Sequence, residues 1–208
     1  LRLGYSTEVE CSVGQVFLKD WSPEYIPEGC PPSSNVQIKF PATKRNNSPV
    51  TMNWTDGGIR PFHPDLIPPG DPIGDNDSSN GVLMIGTKGV MTCGTYGLVP
   101  KVYLKNGTKL EMPPLPAPVA GTPSVPEYGH QRSWTNACKA GFNSKEHLEL
   151  TSSFDYSGPL TETVLMGNLA IRSYNLRKQG ANNRMEFYGR QKLLWAGTSM
   201  QITNFDDS

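Results

Sequence analysis

The sequence has no Gly-x-Gly-x-x-Gly, no Walker A run, no His-Glu-x-x-His and no Gly-x-Ser-x-Gly. These absences remove the dinucleotide fingerprint, the phosphate-cradling loop, the zinc-protease helix and the serine-hydrolase elbow, since each chemistry needs its residues at that spacing. Gly86-x-x-Gly89 and Gly94-x-x-Gly97 come nearest. Both sit in hairpin-like sequence, without the strand-to-helix context that places phosphate at a helix N-terminus. No apolar run approaches the roughly 20 residues of a membrane helix, and the start carries no charged-then-apolar secretory signal. Net charge is missing too: 19 Lys and Arg balance 19 Asp and Glu. A nucleic-acid surface normally shows a basic excess, so neither nucleic acid nor membrane is an expected partner.

Cysteine and histidine are few. Cys11, Cys30, Cys93 and Cys138 lie far apart, with no Cys-x-x-Cys pair and no nearby His to complete a zinc set. They read as small buried side chains or incidental thiols. A disulfide stays open, and so does the compartment, cytoplasmic or periplasmic. His63, His130 and His147 are scattered, and a lone His is more often structural or exposed than catalytic. In the run from Asp75 to Gly81, Asn80 and Gly86 stand where a calcium loop needs its sixth-position Gly and its twelfth-position acid. The run therefore reads as a polar turn before a strand. The Asn-x-Ser/Thr triplets at Asn46, Asn53, Asn76 and Asn106 carry no weight.

What the chain does have is glycine (21) and proline (19) among 208 residues, with hydrophobics at 36%. That balance implies turns and ordered loops between short strands, not a helical bundle. A chain of this length buries a real core without staples. Val9, Cys11 and Val13 alternate with polar residues, as do Val36, Ile38 and Phe40, and Val50, Met52 and Trp54, the period of half-buried strands. A hairpin is expected over 82–93 around the Gly86-Thr87-Lys88-Gly89 turn, and a second over 101–110 around Asn106-Gly107, where a type I′ turn fits. Residues 113–126, rich in Pro, Ala and Gly, read as a connector.

A helix near 128–140 carries Trp134, Ala137 and Cys138 at helical spacing and stops at Gly141. A stronger one runs from Pro159 to Tyr174, with Ser157 as N-cap and Leu165 and Leu169 directed at the sheet. Strands return at 192–195 and 200–203. The whole reads as α+β, a mostly antiparallel sheet with helices on one face. Gln37, Lys39, Thr51 and Asn53 fall on the other face, which is solvated by default. Asp56-Gly57-Gly58 reads first as a bulge or tight turn, and secondly as a place where a ligand approaches the backbone.

Five segments in register resemble the C-terminal domain of the glucose–fructose oxidoreductase/inositol dehydrogenase (Gfo/Idh/MocA) family. They are Val50-Thr51-Met52-Asn53-Trp54-Thr55-Asp56-Gly57-Gly58-Ile59-Arg60-Pro61, then Asn80-Gly81-Val82-Leu83-Met84-Ile85-Gly86-Thr87-Lys88-Gly89, then Met91-Thr92-Cys93-Gly94-Thr95-Tyr96-Gly97, Trp134-Thr135-Asn136-Ala137-Cys138-Lys139-Ala140-Gly141 and Phe154-Asp155-Tyr156-Ser157-Gly158-Pro159-Leu160-Thr161-Glu162. The resemblance runs from about Gly4 to Asn204.

The resemblance implies that residues 1–208 are a C-terminal substrate-binding and oligomerisation domain whose N-terminal Rossmann domain is absent from this chain. The chain opens Leu1-Arg2-Leu3-Gly4 without Met, and the protein is expected to begin upstream. The intact protein would then be an NAD(P)-dependent oxidoreductase acting on a sugar, a polyol or a derivative. NAD or NADP, the Glu-Lys-Pro lysine and the catalytic His would all lie outside this fragment, which alone would hold no cofactor and have no activity. Relatives pair through the sheet, so a homo-oligomer is implied. The segment 175–191 is longer than the family's usual link.

Two alternatives stand beside this: a stand-alone binding or assembly module, and part of a glycoside-cleaving enzyme with a transient NAD redox step. The expected contacts to a sugar-like ligand are Trp54, Asp56, Tyr96 and His130, which combine aromatic faces with groups that donate and accept hydrogen bonds. Their structural reading is packing for Trp54 and Tyr96 and turn-fixing for Asp56.

Overall fold

Alternation of apolar and polar residues along the early strands makes three antiparallel neighbours in the computed structural model, which describes residues 3–19, 21–24, 28–110, 129–151 and 153–205. In chain order the strands are β1 (Glu8–Val13), β2 (Phe17–Lys19), β3 (Ser22–Pro23), β4 (Ser34–Phe40), β5 (Val50–Thr55), β6 (Val82–Ile85), β7 (Gly89–Cys93), β8 (Lys101–Leu104) and β9 (Lys109–Leu110). Helices α1 (Gly129–Ala140), α2 (Lys145–Leu148) and α3 (Phe154–Tyr174) follow, then β10 (Arg177–Gln179), β11 (Met185–Phe187), β12 (Leu193–Ala196) and β13 (Gln201–Ile202). The fold is α+β, and every strand pair among the described residues is antiparallel. The chain divides into two units, Leu1–Arg60 with Ser133–Ser208, and Pro61–Arg132.

The first unit is built on a five-stranded sheet in the order β13-β12-β1-β4-β5. Val9 pairs with Ile38, Ile38 with Met52 and Phe40 with Val50, so the strict period of two brings these apolar side chains to one face. Val9, Ile38 and Phe40 form the buried core with Val36, Leu193, Met166 and Ala170, and the partly buried Val50 and Met52 pack against it. Helix α3 packs across β1 and β4 through a narrow face. Met166, Gly167 and Ala170 are its buried positions, and Gly167 leaves its backbone close to Val36. Leu165 is 51% and Leu169 42% exposed, which corrects the sequence expectation for this helix. A stripe of large side chains would hold the helix axis away from the sheet; the narrow Met-Gly-Ala face lets it approach.

The helix also starts earlier than expected. Ser153 is its N-cap and Pro159 lies inside it. The proline nitrogen has no hydrogen to give to the preceding turn, and Thr163 Oγ1 bonds the Pro159 carbonyl at 2.9 Å. At the other end, Arg190 lies 3.7 Å from the Phe187 ring centroid and 5.5 Å from that of Tyr174, tying the β10–β11 hairpin to the end of α3. That hairpin accounts for the length of 175–191. Helix α1 falls where its pattern places it, with Gly141 N–H bonded back to the Ala137 carbonyl at 2.9 Å. Ala137 is its one buried residue; Trp134 and Cys138 are exposed.

The second unit carries a four-stranded sheet, β6-β7-β8-β9. Ile67, Val90 and Tyr103 form its core, with Leu66, Ile73 and Leu83 against it. The first hairpin has the expected register, Ile85 opposite Val90. The second corrects the type I′ expectation: only Gly107 of the Asn106-Gly107 pair has positive φ, at +83°. Leu104 N–H bonds the Thr108 carbonyl and Gly107 N–H the Leu104 carbonyl. Those bonds define a three-residue loop whose Gly closes a bulge. The expected connector over 113–126 lies outside the described residues. All four cysteines are free; Cys93 is buried, Cys11 half-buried, Cys30 and Cys138 exposed.

Candidate functional site

The end of β5 is the most constrained of the expected positions. Asp56 Oδ1 accepts from the Ser34 N–H at 2.6 Å and the Ser34 hydroxyl at 2.9 Å, while its Oδ2 accepts from the Trp54 indole N–H at 3.3 Å. One carboxylate thus locks the β4 start, the β5 end and the indole together. Gly57 follows at φ +62°, and a Cβ there would run into the Pro32 carbonyl and Ser33. Only glycine fits such a crossing. Trp54 belongs to the α3-side face of the sheet by register, opposite Val36, yet stays 61% exposed. Trp54 therefore presents a fixed aromatic face to solvent.

Tyr96 and His130 belong to the second unit. Tyr96 is 95% exposed at the tip of a 3-10 turn, with φ +61°, a backbone region sparsely used by residues other than glycine. Asp75 holds this turn: its carboxylate accepts from the Thr95 N–H at 3.0 Å and the Thr95 hydroxyl at 2.6 Å. Asp77 Oδ1 accepts from Ser79 N–H at 2.9 Å. Two acids of the polar run therefore serve turns. His130 is exposed on the first turn of α1. Of the four expected contacts, Trp54 and Asp56 are brought together by a hydrogen bond.

Two further clusters escaped the sequence reading. In the first unit a cleft of about 70 Å³ is lined by Gln15, Glu24, Cys30, Pro32, Arg172 and Asn175 among others. Gln15 donates to Asn175 Oδ1 across it at 2.9 Å. These residues are distant in sequence and share no motif, so nothing in the chain order announces them. In the second unit the buried Tyr103 hydroxyl donates to Asp71 Oδ2 at 2.6 Å, and Lys109 Nζ stands 3.7 Å from the same oxygen. Burial, then the Asp71 hydrogen bond, pushes the Tyr103 hydroxyl up to about 12. That bond, followed by the charges of Lys109 and Lys101, holds the Asp71 carboxyl below its ordinary value. His63 Nε2 lies 3.0 Å from the Asp71 carbonyl oxygen. This cluster latches the proline-rich segment before β6 onto its sheet.

The far face of the five-stranded sheet is polar throughout its centre. Glu8 Oε1 stands 2.6 Å from Lys39 Nζ and 3.1 Å from Lys192 Nζ, and the hydrogen bond from Lys39 leads in lowering the Glu8 carboxyl. Gln37 Nε2 donates to Asn53 Oδ1 at 2.9 Å on the neighbouring row. Among the described residues no group of three or more His, Cys, Asp or Glu is placed to hold a metal ion, and no helix is long and apolar enough to cross a membrane. No family model and no curated protein matches the chain.

Proposed function

We propose that this chain is the substrate and assembly half of an NAD(P)-dependent oxidoreductase of Gfo/Idh/MocA type, acting on a sugar, a polyol or a derivative. Cofactor and catalytic groups come from another part of the intact protein. The observation that carries the reading is the Trp54–Asp56–Ser34 lock, whose Trp54 and Asp56 lie inside the longest segment of family resemblance. A sugar ring is recognised by an aromatic face against its C–H side and by groups that donate and accept hydrogen bonds at its hydroxyls. An exposed indole held by a carboxylate offers that pair with little freedom left to lose on binding.

Assembly follows from the other face of the same sheet. Gln37, Thr51 and Asn53 form an uncharged patch beside the Glu8–Lys39–Lys192 cluster, and this patch is the homo-oligomer contact. Calorimetric titration of the chain with NAD and with NADP tests the division of labour. No heat is expected in either titration, because the sequence has no Gly-x-Gly-x-x-Gly to seat the pyrophosphate. Saturable heat in the micromolar range contradicts it.

A further inference from the structure

We propose that β6 is a pairing edge through which two copies of this chain join their four-stranded sheets, strand against antiparallel strand. The register decides which backbone groups are free. Gly86 N–H donates to the Gly89 carbonyl at 2.9 Å, so these two residues form a hydrogen-bonded pair. Antiparallel alternation then makes Met84 with Met91, and Val82 with Cys93, the next bonded pairs. Leu83 and Ile85 therefore turn their N–H and C=O groups away from β7. Among the described residues no strand lies on that side of β6, and Ile85 is 73% exposed.

Edges of this kind are normally blunted by charged, polar or proline residues. Edge strand β5 carries Thr51, Asn53 and Thr55, β9 carries Lys109 and β13 carries Gln201. Strand β6 reads Val-Leu-Met-Ile, with Gly81 and Gly86 at its ends. Both of its faces are apolar. Leu83 packs against the Ile67–Val90–Tyr103 core, while Met84 lines an open groove of about 400 Å³ with Met91, Val102 and Leu104. Antiparallel strands with one wet face alternate apolar and polar residues; a run that is apolar on both faces belongs to a strand covered on both.

The free groups require an extended strand, and β6 of a second copy supplies one. Leu83 and Ile85 lie symmetrically about Met84, so a two-fold axis there sets Leu83 opposite Ile85 of the second copy and lets them exchange main-chain hydrogen bonds. Met84 meets its own counterpart, and the apolar groove continues across the axis. Strand β6 has no charged side chain to set against a like charge. A four-residue edge falls short of the roughly 800 Å² per partner of a standard interface, so the association is weak and reversible.

Sedimentation velocity over a concentration series tests this in the Thr51→Glu background, which removes the polar-face contact. That variant is expected to dimerise reversibly. Adding Ile85→Pro, which removes an outward N–H and spares the β6–β7 ladder, is expected to leave a monomer. Ile85→Lys is the second edge variant, and circular dichroism verifies that each is folded. A Thr51→Glu protein that is monomeric at every concentration overturns the proposal. So does a dimer that survives both edge variants.

Discussion

The indole N–H of Trp195, on β12, donates to Oε1 of Glu162, on α3, at 2.6 Å. The bond ties together two elements that are separated by the whole β10–β11 hairpin and share the core of Leu193, Met166 and Ala170. The acceptor is a carboxyl oxygen in a part-buried site, where a donor left without its partner is costly. Glu162→Ala leaves the indole donor without its partner and is expected to cost about 1–3 kcal/mol. Glu162→Gln keeps an acceptor and should recover much of that loss. Thermal denaturation of the two variants measures the difference.

Side chains one position apart on α3 should behave oppositely. Met166 is 1% exposed in the core and Leu165 is 51% exposed. Met166→Ala is expected to cost about 2–5 kcal/mol through lost burial and the cavity left behind. Leu165→Ala should stay within about 0.5 kcal/mol of wild type, as surface substitutions usually do. Denaturant midpoints check both; equal losses would mean that the helix is rotated from its described orientation.

The Tyr103–Asp71 bond makes stability depend on pH at both extremes. The Asp71 carboxyl is lowered on folding, so its contribution is present above the ordinary carboxylate value and is lost as pH falls through the folded one. The Tyr103 hydroxyl is raised to about 12. Its contribution is therefore complete below the ordinary value of about 10 and disappears as pH climbs toward the folded one. Tyr103→Phe should lower the melting temperature across the neutral range, with the gap to wild type closing in acid and in alkali. A gap that is constant with pH contradicts the assignment.

Much of the fold was legible because its strands obey a period of two. Val9, Val36, Ile38 and Phe40 announce one buried face, and the Gly86–Gly89 turn announces its hairpin. Helix α3 was misjudged for a physical reason. Leu165 and Leu169 outweigh Gly167 and Ala170 in a hydrophobic pattern, but the face that packs closely on the sheet carries those two small residues beside Met166. Asn106-Gly107 misled in turn type because a longer loop with a bulge uses the same dipeptide. At the candidate site, Asp56 could be read as a turn former, while its hold on Ser34 and the Trp54 indole needed β4 and β5 side by side. The Gln15–Asn175 cleft joins residues far apart in sequence and left no local signal.

Whether the β5 end holds a sugar-like ligand is tested most directly by the four indole N–H resonances in ¹⁵N nuclear magnetic resonance spectra, which place Trp54 beside the internal controls Trp21, Trp134 and Trp195. Titration with a panel of sugars and polyols into the millimolar range should shift the Trp54 resonance saturably with at least one of them, leaving the three controls in place. Asp56→Asn should weaken that response while the protein stays folded. A Trp54 resonance that no member of the panel moves, or that moves only in step with all the other indoles, contradicts the reading of this strand end as a sugar site.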